Sequence, residues 1–183
     1  MIELKSPFNA EKIKKLRAGD AVSISGIIYT GRDAAHKRLC DLIASGKELP
    51  LDLADAGIYY VGPAPAKPGR VIGSAGPTSS YRMDPYSDKL LEKGLRVMIG
   101  KGPRSDEFKS LLPRYSAVYL SAIGGAAASI SESVKKCELV AYEDLGAEAI
   151  YRLEVENLFV IVTYDAHGGD LFEEGTKKYS KRI

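Results

Sequence analysis

Three glycine-bearing stretches place a cation beside a turn: TGRDAAH at residues 30–36 carries Arg32, GPTSSYR at 76–82 carries Arg82, and IGKGPRSD at 99–106 carries Lys101. Arginine grips a carboxylate through two parallel hydrogen bonds and lysine acts as a point charge, so two arginines and one lysine suit a small dianion such as a dicarboxylate. Glycines on either side let the backbone approach closely. The second stretch adds Thr78, Ser79 and Ser80 in a row. Serine and threonine are common helix caps, so one of the three is expected to cap a helix while another faces the ligand. Asp33, in front of AAHKRL, reads as a helix N-cap before it reads as a catalytic acid. His36, on the first turn of the same helix, is a candidate for supporting the bound group or a structural histidine. Nucleotide-type phosphate motifs fail on spacing: five residues separate Gly94 from Gly100, and Gly102 follows Lys101 where a P-loop needs Ser or Thr.

These turns need elements to hold them. DAVSISGIIYTG is rich in β-branched residues, and RDAAHKRLCDLIASGK then carries apolar residues at helical spacing until Gly46, which reads as strand, turn, helix. The order recurs. GRVIGSAG reads as a buried strand leading to the hydroxyl-rich turn and a helix through DKLLEKG. LRVMIGKG is followed by SDEFKSLLPRY, with Ser105 as the N-cap, and SAVYLSAIGG supplies a further apolar strand, with Gly124 and Gly125 as a close-packing turn. Strands alternating with helices predict an α/β layer architecture, in which anions bind at the carboxyl ends of strands against helix N-termini. Beyond residue 136, CELVAYEDL, AIYRLEVEN and LFVIVTYDAHGG predict three antiparallel strands joined by short turns.

A chain of 183 residues with 45% hydrophobic content is expected to form one domain over residues 1–183. Its 26 basic and 24 acidic residues are spread along the chain, giving a net charge of +2 and no footprint for nucleic acid or anionic membranes. No segment approaches the ~18 uninterrupted apolar residues of a membrane span, and the N-terminus lacks a signal-type apolar core, so a cytoplasmic protein is expected. Cys40 and Cys137 stand alone, outside any Cys-x-x-Cys or Cys/His cluster, and read as buried core thiols and not as metal ligands.

The segments SGIIYTGRDAAHKRL, GSAGPTSSYRMDPY, MIGKG and AIGGAAA, in this order, resemble the β subunit, or C-terminal domain, of class I fumarases and the related L-tartrate dehydratases, over roughly residues 15–170. The resemblance implies a swivelling β/β/α-type domain with a mixed sheet and C-terminal antiparallel strands. It also implies half of an iron–sulfur hydro-lyase, in which a separate α subunit holds a [4Fe–4S] cluster through three cysteines. With only two cysteines here, no cluster is expected in this chain. Carried over by motif, Arg32, Arg82 and Lys101 would hold the substrate carboxylates. Thr78 would lie near the reacting carbons as a proton-transferring group, with Asp33, His36 and Ser79 around it. The expected reaction is reversible hydration of fumarate to L-malate, with tartrate dehydration as the alternative and a non-catalytic dicarboxylate-binding module as the rival from another class. The expected assembly is two α and two β chains.

Overall fold

The computed structural model describes residues 1–123 and 126–180. In chain order the elements are β1 (Ile2–Lys5), α1 (Ala10–Ile13), β2 (Ala21–Thr30), α2 (Asp33–Ala44), β3 (Gly57–Tyr59), α3 (Asp84–Glu92), β4 (Val97–Gly100), α4 (Asp106–Tyr115), β5 (Val118–Ser121), α5 (Ala127–Glu132), β6 (Val134–Ala141), β7 (Ile150–Tyr164) and α6 (Leu171–Tyr179). Short 3₁₀ turns occupy Ser80–Met83 and Glu143–Glu148. The glycines at 124 and 125, expected to form a close-packing turn, lie outside the described residues.

Strands β2, β3, β4 and β5 are parallel neighbours in that order, and β7 pairs antiparallel with both β5 and β2. The sheet therefore closes on itself as a barrel, with β1 added to β2 and β6 added to β7. This is the mixed α/β, β/β/α-type architecture with antiparallel C-terminal strands. The central strands are apolar on both faces, as strands covered from both sides must be. On one face Tyr59, Val97, Ile99, Val118 and Leu120 join Val160 and Val162 in one core. On the other, Ile58, Met98 and Tyr119 pack with Leu39, Leu90, Phe108 and Leu112, which are the buried residues of the adjacent helices α2, α3 and α4. Ser105 caps α4 as its sequence predicts, its side chain accepting from Phe108 N–H at 3.2 Å.

Two predicted strands are corrected. Residues 70–76 form no strand; they run as an irregular loop held at Ala64 N–H to Ser74 O (3.0 Å) and Ala75 N–H to Ala127 O (3.1 Å). Pro63, Pro65 and Pro68 remove donors a ladder needs, and Val71 is 46% exposed, so nothing there rewards sheet pairing. The strand that precedes the hydroxyl-rich turn is β3. The second correction is at the C-terminal end, where two of the three predicted strands are one: Ile150–Tyr164 is a single 15-residue strand. Asn157, the last residue of the predicted AIYRLEVEN strand, sits inside it with φ 56 and places its backbone N–H 3.1 Å from Ser25 Oγ, so the chain passes through a local irregularity without reversing. Of the two thiols, Cys40 is buried and Cys137, on β6, is only half-buried.

The close approach between the hydroxyl-rich turn and β4 depends on Gly100. A Cβ at Gly100 would collide with Ser80 Oγ and come within 2.9 Å of the Tyr60 ring. Gly100→Ala is therefore expected to destabilise the chain by about 1–3 kcal/mol, the usual cost of overpacking a filled site. Thermal or urea melts check this, and wild-type stability in the variant would show that Ser80 does not occupy that space.

Candidate functional site

The carboxyl ends of β2, β3 and β4 lie side by side, and each leads into one of the cation-bearing segments. Gly31 N–H bonds Tyr59 O at 3.1 Å, joining the turn after β2 to β3. Tyr60 N–H bonds Ile99 O at 2.8 Å, joining β3 to β4. The segment Pro77–Ser80 then crosses over these ends. Pro77 bridges Val61, Thr78 N–H bonds Tyr60 O at 2.7 Å, and Ser79 forms a parallel bridge with Lys101. Ser80 and Lys101 bond reciprocally, Ser80 N–H to Lys101 O and Lys101 N–H to Ser80 Oγ, both at 3.0 Å. Thr78, Ser79 and Lys101 are thus fixed in register by backbone bonds, and Lys101 presents an exposed side chain.

Ser80 is wholly buried and is not a cap for the following helix; its hydroxyl is engaged at β4 instead. Ser79 occupies the N-cap position of the 3₁₀ turn without a side-chain cap bond. Tyr119 Oη lies 2.9 Å from Ser80 Oγ and 3.0 Å from the Gly102 carbonyl oxygen. A carbonyl only accepts, so the phenol proton goes to Gly102 and the Ser80 proton is left for the phenol oxygen. Burial pushes the Tyr119 phenol above its ordinary range, which keeps it neutral.

Arg32 and Arg82 converge on Asp33. Arg82 Nη2 lies 3.8 Å from Asp33 Oδ2, and Arg32 Nε lies 3.9 Å from Asp33 Oδ1. Asp33 is therefore not the N-cap that its position suggests. Arg32 takes that place, with no side-chain cap bond, and Asp33 is the first residue of α2 with its carboxylate turned toward the two arginines. Arg32 Nη2 also pairs with Glu148 Oε1 at 3.0 Å. Its guanidinium passes over Gly62, where a Cβ would sit 3.3 Å from Nη1 and 2.9 Å from Ala147 O. Arg32 Nε and Asp33 Oδ1 are buried without hydrogen-bond partners among the described residues, which marks polar capacity that the chain itself leaves unused.

His36 is buried at the back of this turn, Nδ1 2.8 Å from Arg32 O, and its ring meets Tyr60 edge-on at 5.3 Å. Since the carbonyl accepts, Nδ1 carries the proton and Nε2 is a bare acceptor without a partner among the described residues. Desolvation lowers its pKa from 6.5 to about 4, against the bond to Arg32 O and with help from the Arg104 charge. The histidine is neutral at pH 7 and supports the Arg32 turn. Sequence reasoning missed Glu148, Ser80's partner Tyr119, and the buried pair of Arg104 with Asp84. For the last pair a signal was present: RMDPY and GKGPRS each hold one of the two charges within three residues of a candidate cation.

Among the described residues no group of three His, Cys, Asp or Glu side chains is placed to hold a metal, and burial raises both thiols. No helix is long and apolar enough to cross a membrane among the described residues. The sequence profile described as fumarase C-terminus matches residues 1–175. The chain belongs to the fumarase C-terminus family. It is 42% identical over 159 residues to the anaerobic class I fumarate hydratase of Escherichia coli, covering 86% of this chain and 29% of that protein. It is 37% identical over 188 residues to a putative class I fumarate hydratase of Geobacillus stearothermophilus, covering 100% of this chain and 36% of that protein. It thus spans about a third of these relatives. The putative L(+)-tartrate dehydratase subunit beta of Methanocaldococcus jannaschii matches along most of both chains, 37% identical over 93% of this chain and 91% of that one. The family is one of hydro-lyases of the fumarate hydratase and tartrate dehydratase type.

The buried histidine sets a pH dependence of stability. Because its folded pKa of about 4 lies below the unfolded value of 6.5, the unfolded chain takes up a proton in this window that the folded chain refuses. Stability is expected to be free of this penalty above pH 6.5 and to fall as pH drops to about 4, by an amount on the order of 3 kcal/mol. His36→Leu removes the titration, so its urea stability should fall less between pH 7 and pH 4 than that of the wild type. Parallel falls in the two proteins would assign the acid sensitivity elsewhere.

Proposed function

We propose that this chain is the β subunit of a two-part, [4Fe–4S]-dependent hydro-lyase that interconverts fumarate and L-malate, the cluster being carried by a partner α subunit in a heteromer of two α and two β chains. The observation that carries this reading is that Arg32 and Arg82 share Asp33, while backbone bonds seat Thr78 on Tyr60 and Ser79 on Lys101 at the neighbouring strand ends. Two arginines sharing one aspartate lie close enough to address one small ligand, and the neighbouring strand end adds the lysine. Together they suit a molecule with a carboxylate at each end. A substrate carboxylate would compete with Asp33 and Glu148 for the guanidinium groups.

Thr78 lies on the segment whose backbone is fixed by Tyr60 and, one residue on, by the bridge to Lys101. We assign it the proton transfer at the reacting carbon. A threonine hydroxyl is a weak base in water, and closure against the partner would have to dry the site for it to act. Asp33 and His36 orient Arg32 from either side, and Ser79 holds the crossing segment. The second reading, tartrate dehydration, draws support from the matched length of the archaeal β-type relative, whose whole chain this one nearly spans.

The test is reconstitution. The isolated chain should be colourless and inactive, and activity should appear on adding a cluster-bearing α subunit, with malate, fumarate and both tartrate enantiomers assayed in parallel. Arg82→Met should raise KM by roughly 30-fold, equivalent to about 2 kcal/mol for a charged hydrogen bond. Thr78→Val should instead lower kcat by roughly 10²–10⁴-fold with a smaller change in KM. Near-normal kcat in Thr78→Val would remove the proton-transfer role, and activity of the isolated, metal-free chain would sink the two-part reading.

A further inference from the structure

Arg104 follows Lys101 by three residues, yet it faces the other way. Its side chain is 0% exposed and pairs with Asp84, and it donates to Ser87 Oγ at 2.9 Å. The guanidinium lies 3.4 Å from the centre of the Phe108 ring, with the rings of Tyr119 and Tyr60 at 5.2 and 5.5 Å. A guanidinium keeps its charge at any pH a protein survives, so placing it in the core is tolerable only with a counter-charge, filled donors and aromatic faces around it. Every one of these is present.

The two partners belong to the two segments that bear candidate ligand-binding cations. Asp84 opens α3 directly after the 3₁₀ turn that holds Arg82. Arg104 lies in the loop that begins with Lys101, and the second oxygen of Asp84 accepts from Ser105 N–H at 2.9 Å. Segment 80–84 is thus fastened to segment 101–105 at two places, by the Ser80–Lys101 bonds at one end and by Asp84 with Arg104 and Ser105 at the other. Lys101 and Arg82 lie on this clamped pair.

We propose that Arg104 is a positioning residue that sets the spacing between Arg82 and Lys101 and so the fit of the dicarboxylate, without touching it. This rests on the reading of those two cations as carboxylate holders. Arg104→Lys keeps the charge but loses the planar fork that reaches Asp84 and Ser87 together. In the complex reconstituted with the α subunit, it is expected to raise KM about tenfold with kcat little changed, as a displaced clamp does. In a Lys101→Ala background the same change should raise KM by less than about threefold, because residues acting through one another are non-additive. Amide exchange of the full chain should rise in residues 80–84 and 101–105 together.

A lower melting temperature with unchanged KM would overturn the proposal and leave Arg104 a core residue. An equal rise in KM in both backgrounds would overturn it too. Should Arg104→Lys not fold, Asp84→Asn is read by the same three measurements. If Lys101→Ala and Arg82→Met themselves leave KM unchanged, the carboxylate-holding reading fails and takes this one with it; that failure is recognisable because it shows in variants that leave Arg104 intact.

Discussion

The space left free above Gly100 is the constraint on which the candidate site depends. Neighbouring strands in a sheet lie about 4.8 Å apart, so a chain crossing their ends can settle only where a side chain is missing. Ser80 settles there, and its hydroxyl meets the first amide beyond β4, a donor that would otherwise be left unpaired at the strand end. From that seat the register runs backward to Thr78 on Tyr60 and forward to Arg82 and Asp84. A small residue in a strand and a buried hydroxyl in a loop together fix the register of the crossing segment on the strand ends.

The charges at that end divide by surroundings. Arg104 is buried against Asp84, Ser87 and the Phe108 ring. Arg32 pairs closely with Glu148, whereas both Arg32 and Arg82 meet Asp33 only at 3.8–3.9 Å, and Lys101 is exposed. Asp33, between the two arginines, and Glu148, on Arg32, hold down the local excess of positive charge. On the proposed reading, the same carboxylates would have to give way in part to an arriving anion, so orientation would be obtained at some expense in affinity.

Much of this was legible in the sequence because the relevant signals are local. The β-branched run ending in Gly31, the helical spacing after Arg32, and the Ser105 cap each report on residues a few positions apart, and the structure has all three. What was not legible depends on distant partners. Residues 70–76 look like a strand by composition, but no neighbouring strand takes them, and the prolines before them cost the donors they would need. Asp33 looks like a cap until Arg82, nearly fifty residues on in the sequence, arrives beside it. Ser80 looks like a cap until Gly100 offers a cavity of its own size. Arg104 and Asp84 carried opposite charges in plain sight, and only packing reveals that both are drawn inward to each other.

Strand β7 has a consequence for how the chain is made. It is paired with β2, β5 and β6 at once, and its register joins Ala21 to Ile161. During synthesis from the N-terminus, β2 to β5 are complete while the edge of β2 that β7 will cover is still bare. An open edge of this kind invites pairing with other chains, and the late, long-range closure is the step that loop-closure entropy slows most. The nascent α/β layer must therefore wait, with one seam unsewn, until the last long strand leaves the ribosome.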